Sequence, residues 1–572
     1  QVEDFQKRLW LKKKFVVETN YCITLDKIDE RFYEEIAAND AQVKEWIEMY
    51  AIDEIKADMH TLGFSLPLSV DFLKQNQNLI VDTRHFTQQF RDQLLADIDN
   101  LDEQTNGVMI NADNFHALQF LQEKYKNSVK CTYIDPPYNT DASEIMYKNN
   151  YKHSSFLSLI SNRLELAHNL FKDDGMLAVA IDDAEYANLA ILLDNIYEKN
   201  AGVTVVRSNP QSRKTKGKFS PQHEYCLFYT TNEETTPCSI GYSESKLNRY
   251  PLIDDIGHYS WMNFIRAGNN DLRTDRPKLY YPIAVDESNN LRILNMVWND
   301  VQQAYDLCEE VRENEVLVYP TKLQNGTTIE KNWQRGHERV SREIQNGEYR
   351  VRRTSDGISI DFKKRMDENA MPTTWWDKNE YASANYAPSE LKNLFGEKPF
   401  DFAKAVTLVI DTLIACGAHN NAIILDFFAG SGTTGHAVVS LNRSDKSNRR
   451  YLLVEMGEYF DKVTKPRIQK VVYASEWKDG KPKSRTTGVS HIMKYMRLES
   501  YEDALSNIEL KKAGGISLWG EDYLINYMLN MESRDSLLSI DKFRSPFEYK
   551  MRITEKNECR ERQVDVCETF NY

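Results

Sequence analysis

The sequence predicts an α/β fold: a mostly parallel β-sheet covered on both faces and divided by one large insertion. Three observations carry this. Apolar runs alternate with amphipathic helical stretches over residues 107–230 and again over 400–456, the rhythm of parallel strands joined by helical crossovers. Between about Thr231 and Gly396 the rhythm stops, and the chain turns irregular, rich in tyrosine and tryptophan, with turn signals and short strands. A glycine-rich turn, DFFAGSGTTGHAV at 426–438, stands between an apolar strand and a helix.

The expected organisation is a helical N-terminal extension over 1–105, one half of the sheet domain over 106–231, the insertion over 232–394, the other half over 395–484, and a C-terminal extension over 485–572. In the first segment, RFYEEIAANDAQVKEWIEMYAIDEIKADM spaces its apolar residues as a helix does. A strand follows in GVMINADN, then the helix FHALQFLQEKY and the strand VKCTYID at 129–135. The stretch FLSLISNRLELAHNLFKDDG reads as a helix closed by Gly175 as C-cap. MLAVAID at 176–182 is a strand, AEYANLAILLDNIYEKN a helix and HEYCLFYT at 223–230 a strand. After the insertion come the helix FDFAKAVTLVIDTLIAC, the strand AIILDFF, the glycine turn with its helix, and the strand RYLLVEM at 450–456. In the tail SYEDALSNIELKK is helical.

The chain has 572 residues, too many for one core. No run of about 18 apolar residues offers a membrane span, and the polar start lacks the pattern of a secretory signal. The absence of an initial Met and the apolar end suggest a piece of a longer chain. Eight cysteines, Cys22, Cys131, Cys226, Cys238, Cys308, Cys416, Cys559 and Cys567, form no C-x-x-C pair, so no zinc site or disulfide framework is expected and a reducing cytoplasm is the default. The net charge of −14 argues against a nucleic-acid partner. Two basic stretches, 206–220 and 332–353, argue locally for one, unless each is simply a solvated face.

In TYIDPPYNT, at 132–140, an apolar strand ends on Asp135 and runs into two prolines and Tyr138. Proline fixes its own φ and restricts the residue before it. The turn therefore holds a carboxylate, a free carbonyl and an aromatic ring in one rigid arrangement, as a site does. In the second motif Gly430, Gly432 and Gly435 fit G-x-G-x-x-G in its strand–turn–helix setting, and Glu455 ends the next strand, placed for ribose hydroxyls. The structural alternative is a helix packed closely on a sheet, with Glu455 a surface charge. A dinucleotide would bring a pyrophosphate to the helix N-terminus; S-adenosylmethionine has none. Asp426, just before the glycines, repels pyrophosphate and suits an ammonium group, and no Lys-Ser/Thr pair follows to make a triphosphate loop.

Taken together, DPPYNT, FSPQHEYCLFYT at 219–230, DRPKLYYPI at 275–283, FDFAKAVTLV from Phe400 and DFFAGSGTTGHAV are the residues by which the chain resembles the adenine-N6 DNA methyltransferases of the β arrangement. It is most similar to the modification subunit of type III restriction–modification systems. The catalytic tetrapeptide precedes the cofactor glycines with an insertion between, and the resemblance spans roughly 108–456. One departure is that Ala403 and Ala405 flank Lys404 where the family has prolines.

The resemblance implies a Rossmann-like, circularly permuted methyltransferase domain with S-adenosyl-L-methionine as cofactor and no metal. It implies an inserted domain that recognises double-stranded DNA, a homodimer, and a restriction (helicase-like translocase–endonuclease) subunit as partner. Asp135, Pro136, Pro137 and Tyr138 would form the catalytic turn. Phe428, Gly430, Ser431, Gly432 and Thr433 would wall the methionine part of the cofactor, with Asp426 and Lys404 nearby. Glu455 would hold the ribose, and Asp113 would lie by the adenine or simply cap the following helix. Phe219 or Tyr225 would help enclose the target base.

The chemistry accounts for the turn. The lone pair of adenine N6 is delocalised into the ring, so activation must fall on the amine. Asp135 and the Pro136 carbonyl can each accept one N6 hydrogen and favour pyramidalisation, an interaction that strengthens as charge develops. Rigid prolines keep both acceptors aligned, Tyr138 would stack on the base, and the base must first leave the duplex. A nicotinamide- or flavin-dependent oxidoreductase built on the glycine loop would leave this turn without a role. A non-catalytic specificity subunit would not need Asp135, Tyr138 and the glycines together. Methylation of cytosine N4 is closer in kind, but there serine more often leads the turn. The insertion is expected to read base edges through Trp261, Asn263, Arg266, Asn269, Arg273, Gln324, Asn325, Trp333, Trp375 and Trp376, unless the aromatics form its own core.

Overall fold

In a computed structural model the chain is described throughout except for residues 1–6, 8, 60, 140–151, 212–218, 241–247, 325, 355–356, 367–370, 384, 509–544 and 556–557. It divides into two compact units, Gln1–Ile240 with Met371–Tyr572, and Gly241–Ala370. Among the described residues no helix is long and apolar enough to cross a membrane.

The first unit is built on one eleven-stranded sheet. In chain order its strands are β1 (Val16–Thr24), β2 (Ile80–Asp82), β3 (Gly107–Asn111), β4 (Val129–Ile134), β5 (Phe171–Ile181), β6 (Lys199–Val206), β7 (Glu224–Thr230), β8 (Trp375–Trp376), β9 (Ile423–Asp426), β10 (Arg450–Glu455) and β11 (Ile492–Leu498). Their spatial order is β8-β6-β7-β5-β4-β9-β10-β3-β11-β1-β2. The six from β5 to β11 run parallel, and β7, β6, β1 and β2 extend the sheet by antiparallel pairings.

Alternation along the parallel strands separates two cores. Val108, Ile110, Ile134, Leu177 and Val179 face one, packed by α2 (Asn114–Tyr125), α3 (Lys152–His168) and α4 (Tyr186–Ile196). Met109, Cys131, Tyr133, Met176 and Ala178 face the other, with residues of α5 (Val406–Ala415), α6 (Thr433–Asp445) and α7 (Thr464–Tyr473). Both faces are thus apolar, which is why these strands read as continuous runs.

Several expectations are corrected. Residues 1–105 contain helices, among them α1 (Asp40–Tyr50), but also contribute β1 and β2 to the sheet. The stretch VVETNYCIT is buried almost throughout: strands pair with both of its edges, and its side chains enter the cores on the two faces of the sheet. The C-terminal tail likewise supplies β11, inserted between β3 and β1. A buried network closes the arrangement: Asp82 accepts from Lys465 Nζ at 2.8 Å and from the Tyr495 hydroxyl at 2.6 Å. Helix α3 ends at His168, and Gly175 lies inside β5, where a Cβ would meet the Phe171 ring at 2.5 Å. Helix α4 stops at Ile196, leaving KNAGVTVV to form β6. The end of the helix expected over 500–512 lies outside the described residues; its start forms a short helix, Tyr501–Ser506.

The second unit has its own core of Phe264, Tyr281, Val340, Trp333, Ile360 and Phe362. A four-stranded antiparallel sheet (Tyr349–Thr354, Gly357–Arg365, Gly257–Asn263, Leu252–Asp254), a three-stranded sheet and the helix His337–Gln345 make it up. Trp333 is fully buried, donating its indole N–H to the Tyr281 carbonyl at 2.7 Å. In the basic stretch 332–353 four arginines share two carboxylates, Arg335 and Arg339 on Glu343 and Arg350 and Arg352 on Asp361, so the stretch keeps an excess of positive charge. The unit is narrower than the expected insertion, because Trp376 and Leu394 belong to the first unit's core.

Candidate active site

Strands β4 and β9 are parallel neighbours, with Ile424 opposite Cys131 and Leu425 opposite Thr132. Their carboxyl ends therefore open on the same edge of the sheet. The Asp135 turn leaves one and the glycine loop leaves the other. Glu455 ends β10, next in the sheet, and Asp113 follows β3, next again. Residues some 290 positions apart in the chain are brought to one crevice outside the carboxyl ends of parallel strands, where open α/β sheets bind their ligands.

In the turn Pro136 is buried, Pro137 exposed, and Asp135 and Tyr138 half-buried. Asn139 closes it with a φ of 58°, and its side-chain amide donates to the buried Glu185, which also contacts His153 Nδ1 at 2.8 Å. Thr140 lies outside the described residues.

Lys404 reaches the turn. Helix α5 begins at Val406, so Lys404 sits before it rather than in it, with Ala405 in extended conformation. Its ammonium contacts Asp135 Oδ1 at 3.2 Å and Glu224 Oε2 at 2.8 Å, and donates to the Tyr138 hydroxyl. That hydroxyl in turn donates to Glu224 Oε2 at 3.1 Å. Burial pushes the Asp135 carboxyl above its usual range, only partly opposed by Lys404. Burial also works against the charge on Lys404, but Asp135 and Glu224 more than offset it and hold the ammonium above the ordinary lysine value.

The glycine loop is tied down from several sides. The Gly430 amide donates to Glu455 Oε2 at 2.8 Å, and Glu455 Oε1 accepts from Gly457. The Gly430 carbonyl accepts from Thr464 at 2.7 Å. Gly432, the N-cap of α6, has a φ of 82°. At Gly435 a Cβ would lie 2.6 Å from Ile468 Cδ1 and 2.9 Å from Leu453 Cδ1, so this glycine lets the helix pack against the sheet. Arg467, fully buried, donates to Ser431 Oγ at 2.8 Å and Thr433 Oγ1 at 2.9 Å; burial lowers its pKa to about 10. Asp426 accepts from the Phe428 amide and the Thr434 hydroxyl beneath the loop, and burial raises its pKa to about 7.

The sequence-expected residues thus divide. The turn, the glycine loop, Phe428 and Glu455 share one edge. Asp426 braces the loop from below, and Lys404 lies on the Asp135 turn. Asp113 is the N-cap of α2, accepting from the Phe115 amide at 2.9 Å and pairing with Arg163 at 3.3 Å. Phe219 is exposed, whereas the Tyr225 hydroxyl donates to Asp183 at 3.0 Å. Glu224, Glu185, Thr464 and Arg467 were not anticipated. Glu224 alone left a trace, as a charge opening an otherwise apolar strand.

A crevice of this construction defines a nucleoside-cofactor enzyme with a carboxylate–aromatic turn, and comparison with known proteins specifies which. A family model described as a DNA methylase matches residues 129–465, and the chain belongs to that family. It is 25% identical over 589 residues to the EcoPI Mod subunit of a type III restriction–modification enzyme from Escherichia phage P1, covering 92% of this chain and 83% of that protein. It is 32% identical over 375 residues to the type II methyltransferase M.KpnI of Klebsiella pneumoniae, covering 63% of this chain and 83% of that one. The StyLTI Mod subunit of Salmonella typhimurium is 26% identical over 381 residues, covering 61% and 52%. The chain is a DNA methyltransferase, and its methyl donor is S-adenosylmethionine. The residues present fit that group: Gly430 and Gly432, with φ of 52° and 82°, leave the backbone open to close approach by a ligand, and the Glu455 carboxylate stands at the same edge for ribose hydroxyls.

Proposed function

We propose that the chain is the site-specific modification subunit of a restriction–modification system, methylating adenine at N6 in double-stranded DNA. The observation that carries this is the Asp135-Pro136-Pro137-Tyr138 turn beside the glycine loop on adjacent parallel strands. Gly430, Ser431, Gly432, Thr433, Phe428 and Glu455 would hold S-adenosylmethionine, with Arg467 and Asp426 bracing the loop, and Asp113 is assigned to the adenine end. The cofactor, when bound, supplies an electrophilic methyl group. The protein's part is to take the adenine out of the duplex, accept its amine hydrogens on Asp135 and the Pro136 carbonyl, and stack Tyr138 on its ring. Its similarity to proteins named as Mod subunits of type III restriction–modification enzymes supports a restriction subunit as partner; a homodimer working in the cytoplasm belongs to the same proposal. Incubation of unmethylated DNA with methyl-labelled S-adenosylmethionine, followed by nucleoside analysis, is expected to yield N6-methyladenine. N4-methylcytosine would reassign the base, and no transfer would overturn the proposal.

Tyr138→Phe is expected to be milder than Tyr138→Ala in single-turnover methyl transfer. The alanine variant loses stacking worth about 1–3 kcal/mol per base. The phenylalanine variant keeps the ring and loses hydroxyl contacts worth about 0.5–1.5 kcal/mol each. Equal losses would mean that the hydroxyl between Lys404 and Glu224, rather than the ring face, is what matters.

Sequence recognition is assigned to the second unit. Of the side chains anticipated as base readers, Trp333 and Trp376 are core, Arg273 is paired with Glu330, and Asn325 lies outside the described residues. Trp261 is half-buried with Arg350 over its ring, and Trp375 belongs to the first unit. Arg266 and the exposed Asn263, Asn269 and Gln324 remain. Exchanging residues 241–370 for those of a related enzyme is expected to change the methylated sequence and leave S-adenosylmethionine affinity unaltered. A folded hybrid that still methylates the original sequence would place recognition outside this unit.

A further inference from the structure

We propose that Glu224 is a positioning residue of the methyl-transfer site, taking up the charge of Lys404 so that Asp135 stays open as the acceptor for the target amine. The inference rests on the function proposed above and assigns a role to a carboxylate outside the Asp-Pro-Pro-Tyr turn.

Glu224 opens β7, which pairs with β5 and lies two strands from β4. Its side chain reaches across to the turn and is only 9% exposed. Three groups lie around the Lys404 ammonium, which has three N–H donors: Asp135, Glu224 and the Tyr138 hydroxyl. The ammonium sits closer to Glu224, at 2.8 Å, than to Asp135, at 3.2 Å. Glu224 Oε2 also accepts from Tyr138, so a single oxygen fixes the lysine and the aromatic ring together. The other oxygen, Oε1, is buried and makes no hydrogen bond among the described residues. A half-satisfied buried carboxylate destabilises a fold, and an apolar side chain would pack such a place at least as well. Stability alone does not account for it.

The local charges do. Two carboxylates share one ammonium. Without Glu224 the whole charge of Lys404 would fall on Asp135 in a poorly hydrated place, where a close ion pair is strong. Such a pair would occupy Asp135 and weaken it as an acceptor. With Glu224 present the lysine is shared, and Asp135 keeps its capacity to accept an amine hydrogen. Among the described residues the titratable groups facing Asp135 are Lys404, Glu224 and Tyr138, with Tyr133 on β4, Cys226 on β7 and Asp426 at the end of β9. Burial raises the Asp135 pKa, Lys404 opposes the rise and Glu224 adds to it.

The sign follows. Methyl transfer needs Asp135 ionised. Glu224→Gln removes the charge that raises the Asp135 pKa, so ionisation extends to lower pH and the acid limb of kcat moves down. Lys404→Gln removes the charge that lowers it, and the limb moves up. Asp426 titrates at the same edge, but the charges acting on it are Asp135 and Glu455, so a limb set directly by Asp426 would not follow these two substitutions in opposite directions.

The test measures tritium transfer from S-adenosylmethionine to genomic DNA of an adenine-methylation-deficient bacterium, at saturating cofactor, across pH. For Glu224→Gln we expect kcat to fall about 10²-fold through lost alignment, the acid limb to move to lower pH, and S-adenosylmethionine affinity by calorimetry to stay unchanged. Glu224→Asp, which keeps the charge, is expected to recover part of kcat with the wild-type limb. An unmoved limb with near wild-type kcat in Glu224→Gln overturns the role. If that variant does not fold, Glu224→Asp decides: a lowered kcat with unchanged cofactor affinity supports the role, and a wild-type kcat overturns it. A wild-type protein that transfers nothing to DNA overturns the underlying function instead, so the two failures are distinguishable.

Discussion

Asp135→Ala is expected to lower methyl transfer to DNA about 10²–10³-fold, the usual effect of losing one hydrogen-bonding group that acts in the transition state. S-adenosylmethionine binding should persist, because the glycine loop is held by Glu455, Thr464 and Arg467 rather than by the turn. The fold should persist as well. Truncation leaves Lys404 with Glu224 at 2.8 Å and with the Tyr138 hydroxyl, so no buried ammonium is stranded. Stranding one would be strongly destabilising. Rapid-quench measurement of labelled methyl transfer, beside calorimetry of cofactor binding, separates the two effects. Turnover near wild type would remove Asp135 from the mechanism; lost cofactor affinity would make the turn part of the cofactor site.

Gly432→Asp is expected to abolish S-adenosylmethionine binding. Gly432 has a φ of 82°, where a side chain is strained, at a cost of about 1–2 kcal/mol. An added Cβ would stand 3.2 Å from the Thr464 carbonyl oxygen and 3.3 Å from its methyl group. Thr464 is also the residue that holds the Gly430 carbonyl, so pressure at Gly432 passes directly to the rest of the loop. The new carboxylate would join Asp426 and Glu455 on an edge already acidic. Gly432→Ala keeps the strain without the charge and is expected to weaken binding less. Calorimetry that finds unchanged affinity for the aspartate variant would show that this loop is not where the cofactor sits.

Much of this site was legible because its parts are local in sequence. The Asp-Pro-Pro-Tyr turn declares itself through the stiffness of proline, and the glycine loop through its setting between strand and helix. The parallel core was legible for the same reason, since β3, β4, β5, β9 and β10 are buried on both faces and read as apolar runs. What stayed hidden depends on long-range pairing. Nothing within VVETNYCIT or IMKYMRL says that β1 and β11 lie side by side, because a strand's partners leave no mark in its own residues. The same holds for polar side chains buried by tertiary contact. Arg467 lies in RIQKVVY, where an arginine reads as the solvent face of a helix; only the fold turns it inward under Ser431 and Thr433. Lys404 was legible as a candidate site residue but not in its direction. Local pattern extended the helix back to Phe400, whereas the chain is extended at Ala405 and enters the helix only at Val406.

If this chain methylates adenine N6 at a defined DNA sequence through the turn at Asp135, modification in a living host depends on that carboxylate. Long-read sequencing of DNA from a methylation-deficient host, expressing either the wild-type chain or Asp135→Ala, tests it most directly. N6-methyladenine at one recurring sequence with the wild-type chain, and its absence with Asp135→Ala, is the result expected. Unmodified adenine in both strains, or equal modification in both, would contradict it.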